Sequence, residues 1–134
     1  MIYISHPIRA TEKHTQSQNC DAIIELASNL RRFFTWERFY VPAESEPFVG
    51  KLYESGKLSL TTILDTDCEI IQKDCKAVIF VILEDSISGG MKVELDCCIK
   101  HNKNFMFVRV PDVYSNMAEV AEFLDIVNEE GDDE

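Results

Sequence analysis

The sequence predicts a single α/β domain with three layers, in which a doubly wound, mostly parallel sheet lies between helices. Short apolar runs alternate along the chain with longer segments in which apolar residues recur every three or four positions. This alternation is typical of parallel strands connected by helices. The 134 residues suffice for one core, and no internal repeat or low-complexity linker divides them.

The first half of the chain predicts two strands, two helices and a long loop. Residues 2–5 (IYIS) form an apolar strand, and the polar segment 6–18 forms a loop. A helix begins near Ser17, a plausible N-cap, and a second strand covers 38–42. The mixed segment 43–58 is expected to be a long loop of the lid type, followed by a helix over 60–74.

The second half predicts two further strand and helix pairs. The apolar runs 76–83 and 104–110 are the expected strands, and the segments 90–101 and 112–129 are the expected helices. Residues 1–128 therefore form the predicted domain. Five of the last six residues are acidic, so 129–134 is expected to be a solvated, disordered tail.

Composition limits the partners and the compartment. The net charge is -11, and the body stays acidic without its tail, which argues against binding nucleic acid. No segment is long and apolar enough to span a bilayer. The start lacks the long apolar run of a secretory signal, so no such signal is expected. The five cysteines include no CxxC pair, so reduced thiols in a cytoplasmic protein are expected, with a catalytic role for one as the alternative.

Two predicted helices each place one acid on an apolar stripe. In the helix 60–74, Asp67 falls within the stripe and Asp65 points away from it, and Glu94 lies among Met91, Leu95 and Cys98. A buried carboxylate is costly unless it has a partner or a task. Pairing with Lys or Arg is one explanation, and a catalytic pair with divided roles is the other.

Ligands of such sheets bind beyond the carboxyl ends of the strands, so the loops that follow the strands are candidate sites. The segment 88-SGG-90 precedes a helix, whose N-terminus suits phosphate, although the same residues also make an ordinary turn. Arg9 follows the first strand and suits phosphate through its bidentate guanidinium. His6 in the same loop is a further candidate donor or simply a loop residue.

Three stretches resemble the nucleoside 2-deoxyribosyltransferase-like superfamily, and most closely its nucleoside 5'-monophosphate N-glycosidases. They are the opening 2-IYISHPIR-9, the segment 65-DTDCEIIQKDCKAVIFV-81 and the segment 88-SGGMKVE-94, which is similar to a Ser-x-Gly-x-x-x-Glu motif. The last is the most distinctive. The resemblance extends over the domain and implies a Rossmann-like or flavodoxin-like fold.

The resemblance also implies roles for individual residues. Glu94 would attack the anomeric carbon of the sugar, Asp67 would assist departure of the base with Asp65 as the fallback, and Tyr3 would orient the nucleophile. The residues implied to bind the substrate and its phosphate are His6, Ile8, Arg9, Ser88, Gly89 and Gly90. Ser88 replaces an Asp of the free-nucleoside transferases, and a neutral hydroxyl tolerates a phosphate dianion better.

The expected activity is hydrolysis of the N-glycosidic bond of a nucleoside 5'-monophosphate, with a 2'-deoxy sugar expected. No metal or organic cofactor is expected. A deoxyribosyltransferase acting on free nucleosides and a non-catalytic nucleotide-binding module are the alternatives. His6 stands where the family usually has Gly, and Lys76 where it often has Asp. The family usually forms dimers, so a homodimer or a higher homo-oligomer is expected, with exposed aromatics near Trp36 and Tyr53 as candidate contacts.

Overall fold

A four-stranded parallel sheet forms the centre of the fold. The computed structural model describes residues 1–8, 15–83, 87–109 and 117–132, with side chains up to residue 129. The strands are β1 (Ile2–Ser5), β2 (Phe39–Tyr40), β3 (Ala77–Ile82) and β4 (Asn104–Arg109). They lie in the order β2-β1-β3-β4, and all three pairings are parallel.

Helices cover both faces of this sheet. They are α1 (Gln16–Phe33), α2 (Glu46–Glu54), α3 (Leu60–Asp74), α4 (Gly89–Lys100) and α5 (Met117–Asp132). The apolar sides of α1 and α5 pack on one face, against side chains such as Ile4 and Ile79. The apolar sides of α3 and α4 pack on the other, against Val78 and Phe80. The doubly wound α/β architecture predicted from the sequence is confirmed.

The first helix begins two residues earlier than its predicted N-cap. Thr15, not Ser17, caps α1, because its side chain accepts a hydrogen bond from the backbone N–H of Gln18 at 3.1 Å. The Gln18 side chain accepts one from the Thr15 N–H in return, at 2.8 Å. This reciprocal arrangement satisfies two backbone donors at the helix start, so it fixes the start at this point.

The prediction of a long loop over 43–58 is wrong. Residues Pro42–Ser45 form a 3-10 turn, and α2 follows directly. Pro47 lies in the first turn of α2, where its missing N–H costs no helical hydrogen bond. The segment is therefore mostly helical, not an irregular lid.

The last helix continues past its predicted end. α5 reaches Asp132, so its backbone includes part of the segment expected to be a disordered tail. The predicted start of this helix, over 112–116, lies outside the described residues. Within the described ranges, no helix combines the length and the hydropathy needed to cross a membrane.

The carboxyl ends of β1 and β3 lie side by side, since Ser5 is in register with Phe80. The chain after β1 and the N-terminus of α4 consequently lie at the same edge of the sheet. Lys76 precedes β3 at the opposite edge, where its ammonium pairs with the buried Glu37 carboxylate at 3.0 Å. The Lys76 position therefore takes no part in a site at the carboxyl edge.

Candidate active site

A cavity of about 310 Å³ opens at the carboxyl end of β1. It lies between α2, α3 and the N-terminus of α4, the position at which parallel α/β sheets usually bind ligands. Eight of the nine predicted site residues line it: Tyr3, His6, Ile8, Asp67, Ser88, Gly89, Gly90 and Glu94. The ninth, Arg9, lies outside the described residues. A smaller cavity of about 140 Å³ continues between α2 and α3 and shares Glu46 and Asp67 with the first.

Glu94 is buried in the wall of this cavity, and only 5% of its surface is exposed. The Ser5 hydroxyl donates a hydrogen bond of 2.8 Å to its Oε1 atom. Burial raises the pKa of Glu94 to about 7, and the Asp67 charge raises it further, while the Tyr3 and Ser5 hydroxyls act in the lowering direction. Glu94 therefore exchanges its proton close to neutral pH.

Asp67 faces the cavity from α3, and Asp65 is exposed on the same helix. Burial raises the pKa of Asp67 to about 6, with a smaller contribution from the Glu46 charge and an opposing one from the Tyr3 hydroxyl. Among the described ion pairs, none involves Asp67 or Glu94. Pairing with a described Lys or Arg thus does not explain why these two acids lie on apolar helix faces.

The Tyr3 side chain is fully buried beside both carboxylates. Its ring stacks on Tyr40 with the ring centroids 5.5 Å apart. Its hydroxyl lies near enough to affect the pKa of both acids, but it has no hydrogen bond of ordinary geometry with a described residue. Since buried hydroxyls are rarely left unsatisfied, this one is suited to donate to whichever of the two carboxylates is ionised.

Glu46 is a third carboxylate in the cavity, and the sequence interpretation missed it. Only 8% of its surface is exposed, and Gln16 donates a hydrogen bond of 2.8 Å to its Oε1 atom. Gly50 lies against the same carboxylate, so closely that a Cβ there would come within 3.0 Å of Oε1. The Gly that made this segment look like a loop instead makes room for the Glu46 side chain.

His6 is buried with both ring nitrogens engaged by backbone groups. Nδ1 lies 3.3 Å from the Pro7 carbonyl oxygen, and Nε2 lies 3.3 Å from the Ala43 N–H, which donates to it. Burial lowers the pKa of His6 to about 4, so the ring is neutral at pH 7 with its proton on Nδ1. The ring thereby connects the end of β1 to the turn before α2. Phosphate binding by His6 stays a prediction.

The N-terminus of α4 forms the other end of the cavity. Ser88 is its N-cap and accepts a hydrogen bond from the Met91 N–H at 3.3 Å, which leaves the Ser88 hydroxyl proton available to a ligand. Gly89 and Gly90 follow as the first helical residues and line the cavity. N–H groups at a helix start attract anions. Among the described lining residues there is no Lys or Arg.

The cavity is suited to acid and base chemistry at a small molecule. Two carboxyls with raised pKa values face it from different helices, and a helix N-terminus adjoins them. Among the described residues, no group of three or more His, Cys, Asp or Glu side chains is arranged to hold a metal ion. Pairs of titratable groups with shifted pKa values in a cleft are typical of enzyme active sites.

Comparisons with protein-family models, with curated proteins and with solved structures found no significant match for this chain. The fold and the cavity therefore define the class only as a doubly wound α/β protein with a carboxylate-lined pocket at the carboxyl edge of its sheet. Trp36 and Tyr53 are 65% and 37% exposed, and the homodimer stays a prediction.

The raised pKa of Glu94 has a consequence for stability. A carboxyl whose pKa rises on folding favours the folded state fully below its unfolded value of 4.5, and loses that contribution as the pH rises through about 7. We therefore expect Glu94→Gln to increase the free energy of unfolding by about 3 kcal/mol at pH 8 and by much less at pH 5. Urea unfolding at the two pH values measures the difference.

Glu69→Gln is the matched control for this experiment, because Glu69 is exposed and pairs only with Lys73 on the surface of α3. The stability of this variant is expected to stay close to that of wild type at both pH values. A Glu94→Gln protein no more stable than wild type at pH 8 would show that Glu94 ionises without cost in the folded protein.

Proposed function

We propose that this protein hydrolyses the N-glycosidic bond of a nucleoside 5'-monophosphate, with a 2'-deoxynucleotide as the preferred substrate. The observation that carries the proposal is the convergence of Glu94 and Asp67, from separate helices, on one cavity in which both pKa values lie near neutrality. Retaining glycosidases use two carboxyl groups in this way, one as nucleophile and one as acid and base.

The proposed reaction proceeds in two steps. A carboxylate oxygen of Glu94 attacks the anomeric carbon as the bond to the base breaks, and Asp67 gives its proton to the departing base. Asp67 then takes a proton from water, which attacks the same carbon and releases the sugar phosphate from Glu94. The ionised carboxylate also stabilises the positive charge that develops on the sugar in each step.

The phosphate is proposed to bind at the start of α4. The Gly89 and Gly90 N–H groups lie at the helix N-terminus, and Ser88 can donate its hydroxyl proton. The similarity of 88-SGGMKVE-94 to the motif of the 5'-monophosphate N-glycosidases supports the same orientation. In this arrangement the sugar lies over Tyr3 and Glu94, and the base points towards Asp67.

The test is the release of free base from a panel of nucleotides, followed by chromatography. We expect release from 2'-deoxynucleoside 5'-monophosphates and at most slow release from the matching nucleosides, because these lack the phosphate. Equal rates on nucleotides and nucleosides would reject the phosphate site at α4. Calorimetric binding of a nucleotide with no release from any substrate would instead support the non-catalytic alternative.

One observation favours a second candidate, a deoxyribosyltransferase acting on free nucleosides. Three carboxylates line the cavity, and the described lining residues contribute no positive side chain, which disfavours a dianionic substrate. Incubation of a deoxynucleoside with a different free base distinguishes the two candidates. A transferase makes the new nucleoside, whereas the proposed hydrolase releases base and makes none.

A further inference from the structure

We propose that Ser5 is a positioning residue that orients the Glu94 carboxylate and favours its ionised form for attack, which rests on the proposed role of Glu94 as nucleophile. The Ser5 hydroxyl donates to Oε1 of Glu94 at 2.8 Å. Both side chains are buried, with Ser5 at 0% and Glu94 at 5% exposure. Because Oε1 is held by this bond, the other carboxylate oxygen is the one directed to the sugar.

The two hydroxyls of β1 act on the carboxyl pair unequally. Side chains two positions apart in a strand lie on the same face, so Tyr3 and Ser5 both face the helices that carry the acids. The Tyr3 hydroxyl affects both carboxyls, whereas the Ser5 hydroxyl bonds to Glu94 alone. Of these two hydroxyls, only that of Ser5 distinguishes one carboxyl from the other.

That asymmetry matters because the pair shares one proton near neutral pH. The pKa values are about 7 for Glu94 and about 6 for Asp67. At a pH between these two values, one proton is therefore distributed over the two carboxyls. The reaction requires it on Asp67. A hydrogen bond to an ionised carboxylate favours the ionised form, and the Ser5 bond therefore increases the fraction with the proton on Asp67.

Five of the other titratable groups around Glu94 do not compete for this proton. Burial raises the pKa of both Cys68 on α3 and Cys98 on α4 to about 12, and it raises that of Tyr3 and Tyr40 above the usual value. His6 is neutral, with a pKa of about 4. Glu46 on α2 lines the same cavity, and its charge raises the pKa of Asp67.

The pH dependence of kcat/KM separates positioning from mere support of the fold. In Ser5→Ala we expect kcat/KM to fall about tenfold at and below pH 6, the effect of one charge-assisted hydrogen bond. At high pH both carboxyls are ionised, and the productive fraction then depends on Asp67 alone. The variant and wild-type curves should therefore converge above about pH 8.

A loss of the same size at every pH would overturn the proposal, because a distorted cavity lowers activity uniformly. Ser5→Cys keeps the size of the side chain but is a weak donor, so it is expected to behave like Ser5→Ala and carries the test if the Ala protein does not fold. The control is Ser55→Ala, an exposed serine after α2, which is expected to follow the wild-type curve.

A titration that needs no turnover tests the same inference independently of the proposed function. Carbon-13 labelling of Glu allows the Glu94 carboxyl to be followed by NMR, with Glu94→Gln used to assign its signal. We expect its midpoint to be higher in Ser5→Ala than in wild type. An unchanged midpoint would overturn the role of Ser5 even if base is released, and a raised midpoint without base release would reject only the proposed function.

Discussion

Replacing Glu94 by Gln is expected to abolish base release, with a loss in kcat of at least about a thousandfold. The amide nearly matches the carboxylate in size and can still accept the Ser5 hydrogen bond, so the cavity should keep its shape. The amide lacks the negative charge that makes the carboxylate a nucleophile and that stabilises the positive charge developing on the sugar. Single-turnover measurements with the best deoxynucleotide of the panel measure the loss.

The control for this change is Asp96→Asn, since Asp96 is an exposed acid on the same helix, two residues from Glu94. It is expected to retain wild-type kcat. Together with the expected gain in stability at pH 8, loss of activity in Glu94→Gln would identify a residue kept for its chemistry at a cost to folding. Substantial turnover by the Gln protein would mean that Glu94 is not the nucleophile.

Asp67→Asn is expected to lower kcat by about a hundredfold to ten-thousandfold, the usual contribution of a general acid. The loss in the rate of the first step should depend on the leaving group. A 7-methylguanine nucleotide carries a positive charge on its base, which departs as a neutral molecule without protonation. For that substrate the first step should be nearly as fast in Asp67→Asn as in wild type, and a burst of base should precede slow hydrolysis.

Asp65→Asn provides a close comparison, because Asp65 lies two residues earlier on α3 and is exposed. We expect it to release base at the wild-type rate from both substrates. Equal losses in the rate of the first step in Asp67→Asn, measured on the ordinary and the methylated nucleotide, would show that Asp67 does not protonate the base. A larger loss in Asp65→Asn than in Asp67→Asn would assign that role to Asp65.

The position of Asp67 could be predicted because helical spacing is a local property. The segment 60–74 has the observed bounds of α3, and within it the apolar stripe contains Asp67 and excludes Asp65. The same spacing placed Glu94 on the inner side of α4, where it is buried. Each prediction needed only the phase of one helix relative to its own apolar face.

The sequence interpretation missed Glu46 because the Pro and Gly residues around it are compatible with either a loop or a helix. Pro and Gly residues such as Pro47 and Gly50 usually interrupt helices, so the sequence favours a loop here. In the structure Pro47 lies in the first turn of α2, and Gly50 gives space to the Glu46 carboxylate. Which of these meanings applies depends on packing against the rest of the fold, and a single sequence does not contain that information.

Ser5 was also missed, although part of the signal was present. Strand alternation places Ser5 on the same face as Tyr3, and this follows from the sequence once residues 2–5 are taken as a strand. The approach of Glu94 to that face does not follow from it. It depends on how α4 crosses the end of β1, across 89 residues of chain.

The central claim is that Glu94 and Asp67 act together on one sugar through a covalent intermediate. The most direct test is mass spectrometry of protein quenched during turnover of a 2'-fluorinated deoxynucleotide, because fluorine next to the anomeric carbon slows both steps and a reactive leaving group then allows the intermediate to accumulate. We predict one sugar phosphate per chain, on the peptide that contains Glu94 and absent from Glu94→Gln. Base release with no adduct, or an adduct on another residue, would contradict the account.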